Sequence, residues 1–211
     1  VGMCISLLLA VMLDQKIAFR RFYRAAFFLP SITSMVVVAI VWQWIYNPDY
    51  GLLNYFLSLF GIKGPKWLLD ANTSLISLAI VGIWKRAGYD MIIFLSGLQG
   101  ISNSYYEASM LDGANKWQQF RYITLPMLKP TTFFVFVMAV ISSFQVFDQV
   151  MLMTKGGPGR SSSVLVHYLY QNAFQYFKLG YACAIAYLLF FIVMGVTVVN
   201  MRMEKSMREI Y

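Results

Sequence analysis

Charged residues are scarce in this chain of 211 residues, at 12% of the sequence, whereas soluble domains carry about 25%. Hydrophobic residues make up 59% and aromatic residues 17%. This excludes a disordered chain, which has few aromatics and much charge, and so few charges could not cover the surface of a soluble enzyme. The composition predicts an integral membrane protein of several helices.

Cysteine and histidine are almost absent. Cys4 and Cys183 lie in apolar runs and are too few for a disulfide scaffold or a metal site. His167 is the only histidine and lies in a loop, so no Ser/His/Asp or Cys/His set is available. The sequence therefore predicts no catalytic residue and no metal site. Because residue 1 is Val inside an apolar run, we expect a truncated N-terminus and not a signal peptide.

Five apolar stretches dominate the chain. A membrane span needs about 20 apolar residues, and four of the five are that long; the first would need residues before Val1. We expect helices, since lipid offers no partners to backbone groups. The prediction is one all-α transmembrane domain over 1–211, with helices near 1–13, 25–46, 74–98, 131–154 and 180–201.

The loop charges predict the orientation. Of 17 Lys and Arg residues, ten fall on one side of the predicted membrane, five on the other and two inside a span. The positive-inside rule puts the richer side, with the C-terminus, in the cytoplasm. The net charge of +8 thus reflects topology and not nucleic-acid binding. The ten are Lys16, Arg20, Arg21, Arg24, Lys116, Arg121, Lys129, Arg202, Lys205 and Arg208.

Two outer loops have interfacial character. The run 52–60, ended by Gly61, is too short to span and is expected at the outer surface. The segment 164–177 is rich in aromatics, which favour the headgroup level. A docking surface for an external partner and a membrane-surface helix both fit this segment.

The cytoplasmic segment 104–130 is the most informative loop. Its first half predicts a short helix that Gly113 ends. A second helix is expected from Asn115 towards Thr124, with Pro126 breaking it before the next span. A helix–Gly–helix on the cytoplasmic face is a compact knob that can seat in a groove of another protein.

This segment resembles the signature of binding-protein-dependent ABC importer permeases. The matching residues are Glu107-Ala108-Ser109, Gly113 and Leu125-Pro126, and Asp112 and Ala114 match the carbohydrate-uptake branch. Four other segments resemble the corresponding parts of maltose-type sugar permeases: 21–30, 47–54, 144–148 and 154–158. On that alignment the first core helix and part of the second would precede residue 1.

The resemblance implies the helical core fold of type I (MetI-like) ABC importers, in a bacterial or archaeal cell membrane. It also implies the partners: a second permease subunit, two cytoplasmic ATPases that each grip one Glu-Ala-Ala helix, and an external sugar-binding protein. Segment 156–161 is glycine-rich but lacks the Lys of a phosphate loop. We therefore expect no cofactor on this chain, with ATP and Mg held by the partner ATPase.

Charged residues inside a span are costly and suggest function. The stretch 74–98 holds Lys85, Arg86 and Asp90, and Arg86 and Asp90 share a helix face at i, i+4. With Trp84 and Tyr89 they could supply a sugar site, since sugars need donors, acceptors and an aromatic face. The alternative is an Arg–Asp pair that only fixes helix packing. The resemblance places sugar contacts on this helix, at Gly82, Arg86 and Tyr89.

The stretch 131–154 carries polar residues at helical spacing. A polar stripe on a membrane helix faces protein or water. The resemblance places sugar contacts on this stretch, at Ser142, Ser143 and Val146, and the alternative is helix–helix hydrogen bonding. The candidate substrate residues here are Ser142, Ser143, Gln145 and Asp148. The alternative function is an ion-coupled secondary transporter that uses Arg86, Asp90 and Asp148; a membrane enzyme is a weaker third.

Overall fold

The computed structural model describes residues 1–15 and 18–208, and every regular element in these ranges is helical. The predicted all-α class is confirmed. Lys16 of the topology argument lies outside the described residues. The α-helices are α1 (Gly2–Asp14), α2 (Arg20–Ile32), α3 (Met35–Ile45), α4 (Leu52–Leu59), α5 (Ser74–Gln99), α6 (Asn103–Leu111), α7 (Lys116–Gln119), α8 (Leu125–Met127), α9 (Lys129–Phe144), α10 (Asp148–Met153), α11 (Leu165–Tyr170) and α12 (Leu179–Arg208). Trp67–Leu69 is a 3-10 turn, and Phe120–Thr124 and Gln171–Gln175 are π-helical turns.

One helix in the described ranges is long and apolar enough to cross a membrane unaided, the part Leu179–Asn200 of α12. Two more spans arise if α2 with α3, and Lys116–Met127 with α9, each cross as an interrupted pair. Only 11% of the most apolar segment of α12 is buried within the chain. Its surface is therefore suited to lipid or to another subunit.

Two of the five apolar stretches are not single helices. The stretch 25–46 is divided after Ile32: α2 continues through Pro30 to Ile32, and Ser34, with a non-helical ψ of 137°, is the N-cap at which α3 begins. The stretch 131–154 is divided at 145–147, although no Pro or Gly stands there. The expectation of one continuous helix over each stretch is corrected.

The chain forms two compact units. Unit 1 consists of 1–32, 84–139 and 200–211. In its core, α5 contributes residues spaced i, i+3, i+4 and i+7, which form one helical stripe. Close approach of α2 to α5 depends on Gly88, because a Cβ there would collide with the backbone of Phe27. The buried cluster is Ala10, Leu13, Met91, Phe94, Leu95, Leu98, Ile101, Leu128 and Val135.

Unit 2 consists of 33–83 and 140–199. Here α10 packs on α3, and the amide of Gln43 donates to the carbonyl oxygens of Leu152 and Met153 at 3.0 and 3.2 Å. Tyr46 is buried, and its hydroxyl donates to the Ser77 carbonyl at 3.0 Å. The buried cluster is Val38, Ala39, Tyr46, Leu78, Val81, Val150 and Met153.

Candidate functional site

The segment that the sequence predicts to be cytoplasmic begins with α6, whose end is fixed by a Schellman motif. The Ala114 N–H donates to the Ser109 carbonyl at 2.9 Å, and the Gly113 N–H donates to the Met110 carbonyl at 3.1 Å. Gly113 has φ +79°, which confirms that this position requires the left-handed region. We name the segment α6–α8, residues 103–127, the coupling knob.

The second half of the coupling knob is more continuous than the sequence predicts. Asn115 and Gln118 form a capping box that starts α7. The chain then continues through the π turn Phe120–Thr124 into α8, which contains Pro126. The expected break at Pro126 is corrected: a wider turn accommodates the missing donor. The bend, of 62°, comes after Met127.

Side-chain hydrogen bonds tie the two halves of the knob together. The Tyr106 hydroxyl lies 3.0 Å from the Thr124 hydroxyl, and the Gln119 amide donates to Ser109 Oγ at 3.0 Å. Ser109 stands where the family signature has a second Ala, so its hydroxyl adds a contact that Ala could not make. Sequence reasoning missed Tyr106, Gln119 and Thr124, because nothing local shows that the two short helices fold back on each other.

The knob exposes large apolar side chains. Leu111 is 90% exposed, Tyr122 75% and Trp117 70%, and Met110 and Tyr105 are exposed as well. An exposed apolar patch of this kind marks an interaction site. The motif residues Glu107, Ala108, Asp112 and Gly113 are exposed, and Ser109, Ala114 and Pro126 are half-buried.

The charged residues of α5 make two different kinds of contact within unit 1. Arg86 Nε lies 2.9 Å from Asp90 Oδ2, so the predicted pair is present. Among the described residues Asp90 Oδ1 has no hydrogen-bond partner, although it is buried. Lys85 Nζ instead donates to the carbonyl oxygens of Pro30 and Ser31 at 3.1 and 3.2 Å. Lys85 thus satisfies carbonyls at the end of α2.

The helix register divides the four candidates on α5. At about 100° per residue, Tyr89, Arg86 and Asp90 fall within an arc of about 100°. Trp84 stands at least about 120° outside that arc. Of the two aromatic rings, Tyr89, 44% exposed, is therefore the one beside the charged pair.

The four candidates of the stretch 131–154 surround its break, in unit 2. Ser143 Oγ donates to the Val140 carbonyl of its own helix at 2.7 Å, and Ser142 is half-buried. Gln145 stands in the gap, and Asp148 begins α10; both are exposed. The expected stripe on one helix is corrected to polar groups at the interrupted backbone.

A family comparison decides what kind of protein carries this knob and these interrupted helices. Residues 2–203 match the family described as "Binding-protein-dependent transport system inner membrane component". The chain belongs to this family. The predicted resemblance to ABC importer permeases is confirmed.

Individual relatives of this permease agree with the family. It is 38% identical over 208 residues to YurN of Bacillus subtilis, whose name classes it with ABC transporter permeases, covering 97% of this chain and 71% of that protein. It is 32% identical to AraP of Bacillus subtilis, an arabinooligosaccharide permease, covering 97% and 66%. It is 31% identical to MalF of Thermococcus litoralis, a trehalose/maltose permease, covering 97% and 69%.

A solved structure confirms the fold. The permease superposes with a TM-score of 0.88, at 25% identity, on a chain of a bacterial alginate ABC transporter solved with its alginate-bound periplasmic protein. The match covers 97% of this chain and 72% of the other, so the type I importer core is the fold of this chain. The permease spans roughly two thirds of the length of these relatives.

Proposed function

We propose that this permease forms half of the translocation pathway of an ATP-driven sugar importer and that its coupling knob, residues 103–127, docks on a cytoplasmic ATPase. Its partners in that assembly are a second permease subunit, two ATPases and an extracytoplasmic sugar-binding protein. ATP and Mg are bound by the ATPases. The C-terminus and the knob lie on the cytoplasmic side, as the charge asymmetry of the loops favours.

The rigidity of the exposed knob is the observation that carries this proposal. The Schellman motif at Gly113 and the hydrogen bonds of Gln119 and Thr124 hold two short helices in one fixed shape. On that fixed shape Leu111 projects almost fully exposed. A rigid body with an apolar tip can transmit a movement of its partner to the chain that follows it, here α9, whereas a loose loop would absorb that movement.

The interrupted stretch 131–154 supports a pathway role. Helical hydrogen bonding is lost at 145–147, and non-helical backbone at membrane depth is tolerated only where it is buried in protein or lines a water-filled cavity. The exposed carboxylate of Asp148 and amide of Gln145 fit the second case. In unit 1, Arg86, Asp90 and Tyr89 offer a donor, a free acceptor and an aromatic ring.

The substrate we propose is a sugar or short oligosaccharide. Relatives whose names give a substrate include permeases of arabinooligosaccharide, trehalose/maltose and sulfoquinovosyl glycerol transport systems. The hydroxyl, amide and carboxylate groups above are the hydrogen-bonding groups that such polyhydroxylated ligands need.

Docking of the knob is tested with Leu111→Asp. This change places a charge at the exposed tip without touching the hydrogen bonds inside the knob. We expect the variant to insert in the membrane normally but to lose copurification of the ATPase. The matched control is Leu59→Asp, which alters a 62% exposed leucine at the end of α4, in an outer loop. Normal copurification with Leu111→Asp would contradict the proposal.

A further inference from the structure

A pocket of about 400 Å³ lies in the outer part of unit 2, after α10. Its lining combines two cationic side chains, one hydroxyl, one amide, one imidazole and glycine backbone. The residues are Lys155, Gly156, Gly157, Gly159, Arg160, Ser163, His167 and Gln171. The volume falls in the range of small-molecule sites.

The floor of the pocket is rigid. His167 is buried, and its Nδ1 lies 3.0 Å from Ser163 Oγ. A Cβ at Gly156 would come within 2.5 Å of His167 Cε1, so only glycine lets the loop pass over the ring. Burial lowers the pKa of His167, so that the ring is neutral at neutral pH and offers one N–H and one acceptor.

Two cationic side chains, Lys155 and Arg160, stand at the rim of the pocket. Lys155 and Arg160 are both exposed, and neither forms an ion pair with a carboxylate in the part of the chain whose side chains are described. Two unmatched positive charges beside uncharged hydrogen-bonding groups favour a ligand that carries one negative charge and several hydroxyls.

We propose that this pocket binds a carboxylate-bearing sugar residue, a uronate, on its way to the pathway. The carboxylate takes the charges of Lys155 and Arg160, and the hydroxyls contact Ser163, His167 and Gln171. An acidic side chain of the binding protein fits less well, because a single carboxylate would fill little of the volume and leave the neutral groups unused. The inference rests on the proposed sugar-import function.

The experiment measures binding of trigalacturonate and of the neutral maltotriose to the assembled transporter in detergent, by titration calorimetry, without ATP and without binding protein. We expect trigalacturonate to bind, and its Kd to rise at least tenfold in Lys155→Gln with Arg160→Gln. The matched control, Lys63→Gln with Lys66→Gln, removes the same charge from exposed residues that do not line the pocket and should leave Kd unchanged.

Three results would overturn the uronate proposal. One is the absence of trigalacturonate binding to the wild type, and another is equal binding by the Lys155/Arg160 variant. The third needs a separate ATPase assay with binding protein: if the variant keeps its affinity for trigalacturonate and loses only the stimulation of ATPase activity, the pocket belongs to an acidic side chain of that protein. Because the titration uses no ATP, its failure leaves ATP-driven transport standing, and failure of ATP-driven transport leaves the titration interpretable.

Discussion

Replacing Gly113 with valine should uncouple the transporter while leaving the permease inserted. At φ +79° the residue lies in the left-handed region, and a Cβ there would meet no atom within 4 Å. The cost of the substitution is therefore backbone strain alone. That strain is about 1–2 kcal/mol for an ordinary residue and more for a β-branched one.

A cost of this size has a measurable consequence for the knob. About 1–2 kcal/mol shifts the equilibrium between the Schellman geometry, which turns α6 towards α7, and other geometries by a factor of about 5–30. We expect the stimulation of ATPase activity by sugar-loaded binding protein to fall, by up to that factor of about 5–30. Gly113→Asn should retain most of the stimulation, because asparagine tolerates the left-handed region.

The chain offers a matched control for this strain. Gly61, at the end of α4, has φ +71° and equally free surroundings, so Gly61→Val imposes the same strain outside the knob. The assay is ATPase activity of the reconstituted complex with and without loaded binding protein. Full stimulation of Gly113→Val would refute the reasoning, and so would equal losses in Gly113→Val and Gly61→Val, which would indicate a general loss of stability.

Three further predictions concern single side chains. Arg86→Met should lower the Tm of the purified complex more than Arg86→Met with Asp90→Leu, because an uncompensated buried charge costs about 3–5 kcal/mol; additive losses would show that the two do not pair. Asp148→Leu should preserve assembly but reduce sugar uptake by proteoliposomes severalfold, since it removes a charge exposed at the helix break; unchanged uptake would leave it a structural residue. Burial lowers the pKa of His167 in the folded state, so as pH falls below the unfolded-state pKa of about 6.5 the unfolded chain gains a proton that the folded chain excludes, and stability falls; the Tm of the wild type should therefore fall more between about pH 7.5 and about pH 5.5 than that of His167→Gln, and parallel curves would contradict this.

Local chemistry explains which parts of the fold could be predicted. The left-handed conformation of Gly113 could be predicted because a glycine directly after a short helix is a local signal for the end of that helix. The positions of α5 and α12 follow from the apolar stretches 74–98 and 180–201, which the two helices cover. The division after Ile32 has a local marker in Ser34, a residue type that is favoured at the N-cap of a helix.

Other features depend on contacts distant in sequence. The break at 145–147 lies in a run without Pro or Gly, so composition predicts continuity where the structure has none. The contact of Gln119 with Ser109 and the pocket around His167 could not be predicted either, because both form only when loops fold back on the rest of the chain. The prediction that Trp84 shares a site with Arg86 rested on charge and aromatic content. It did not consider the helix register, which places Trp84 on a different face of α5.

Measuring which energy source drives uptake is the most direct test of the account. Labelled oligosaccharide uptake is measured in proteoliposomes that hold the complete transporter and external binding protein, with ATP trapped on the ATPase side and all ion gradients abolished by ionophores. We predict uptake that requires ATP and is indifferent to the gradients. Uptake that continues without ATP and stops when the gradients collapse would contradict the account and assign Arg86, Asp90 and Asp148 to ion coupling.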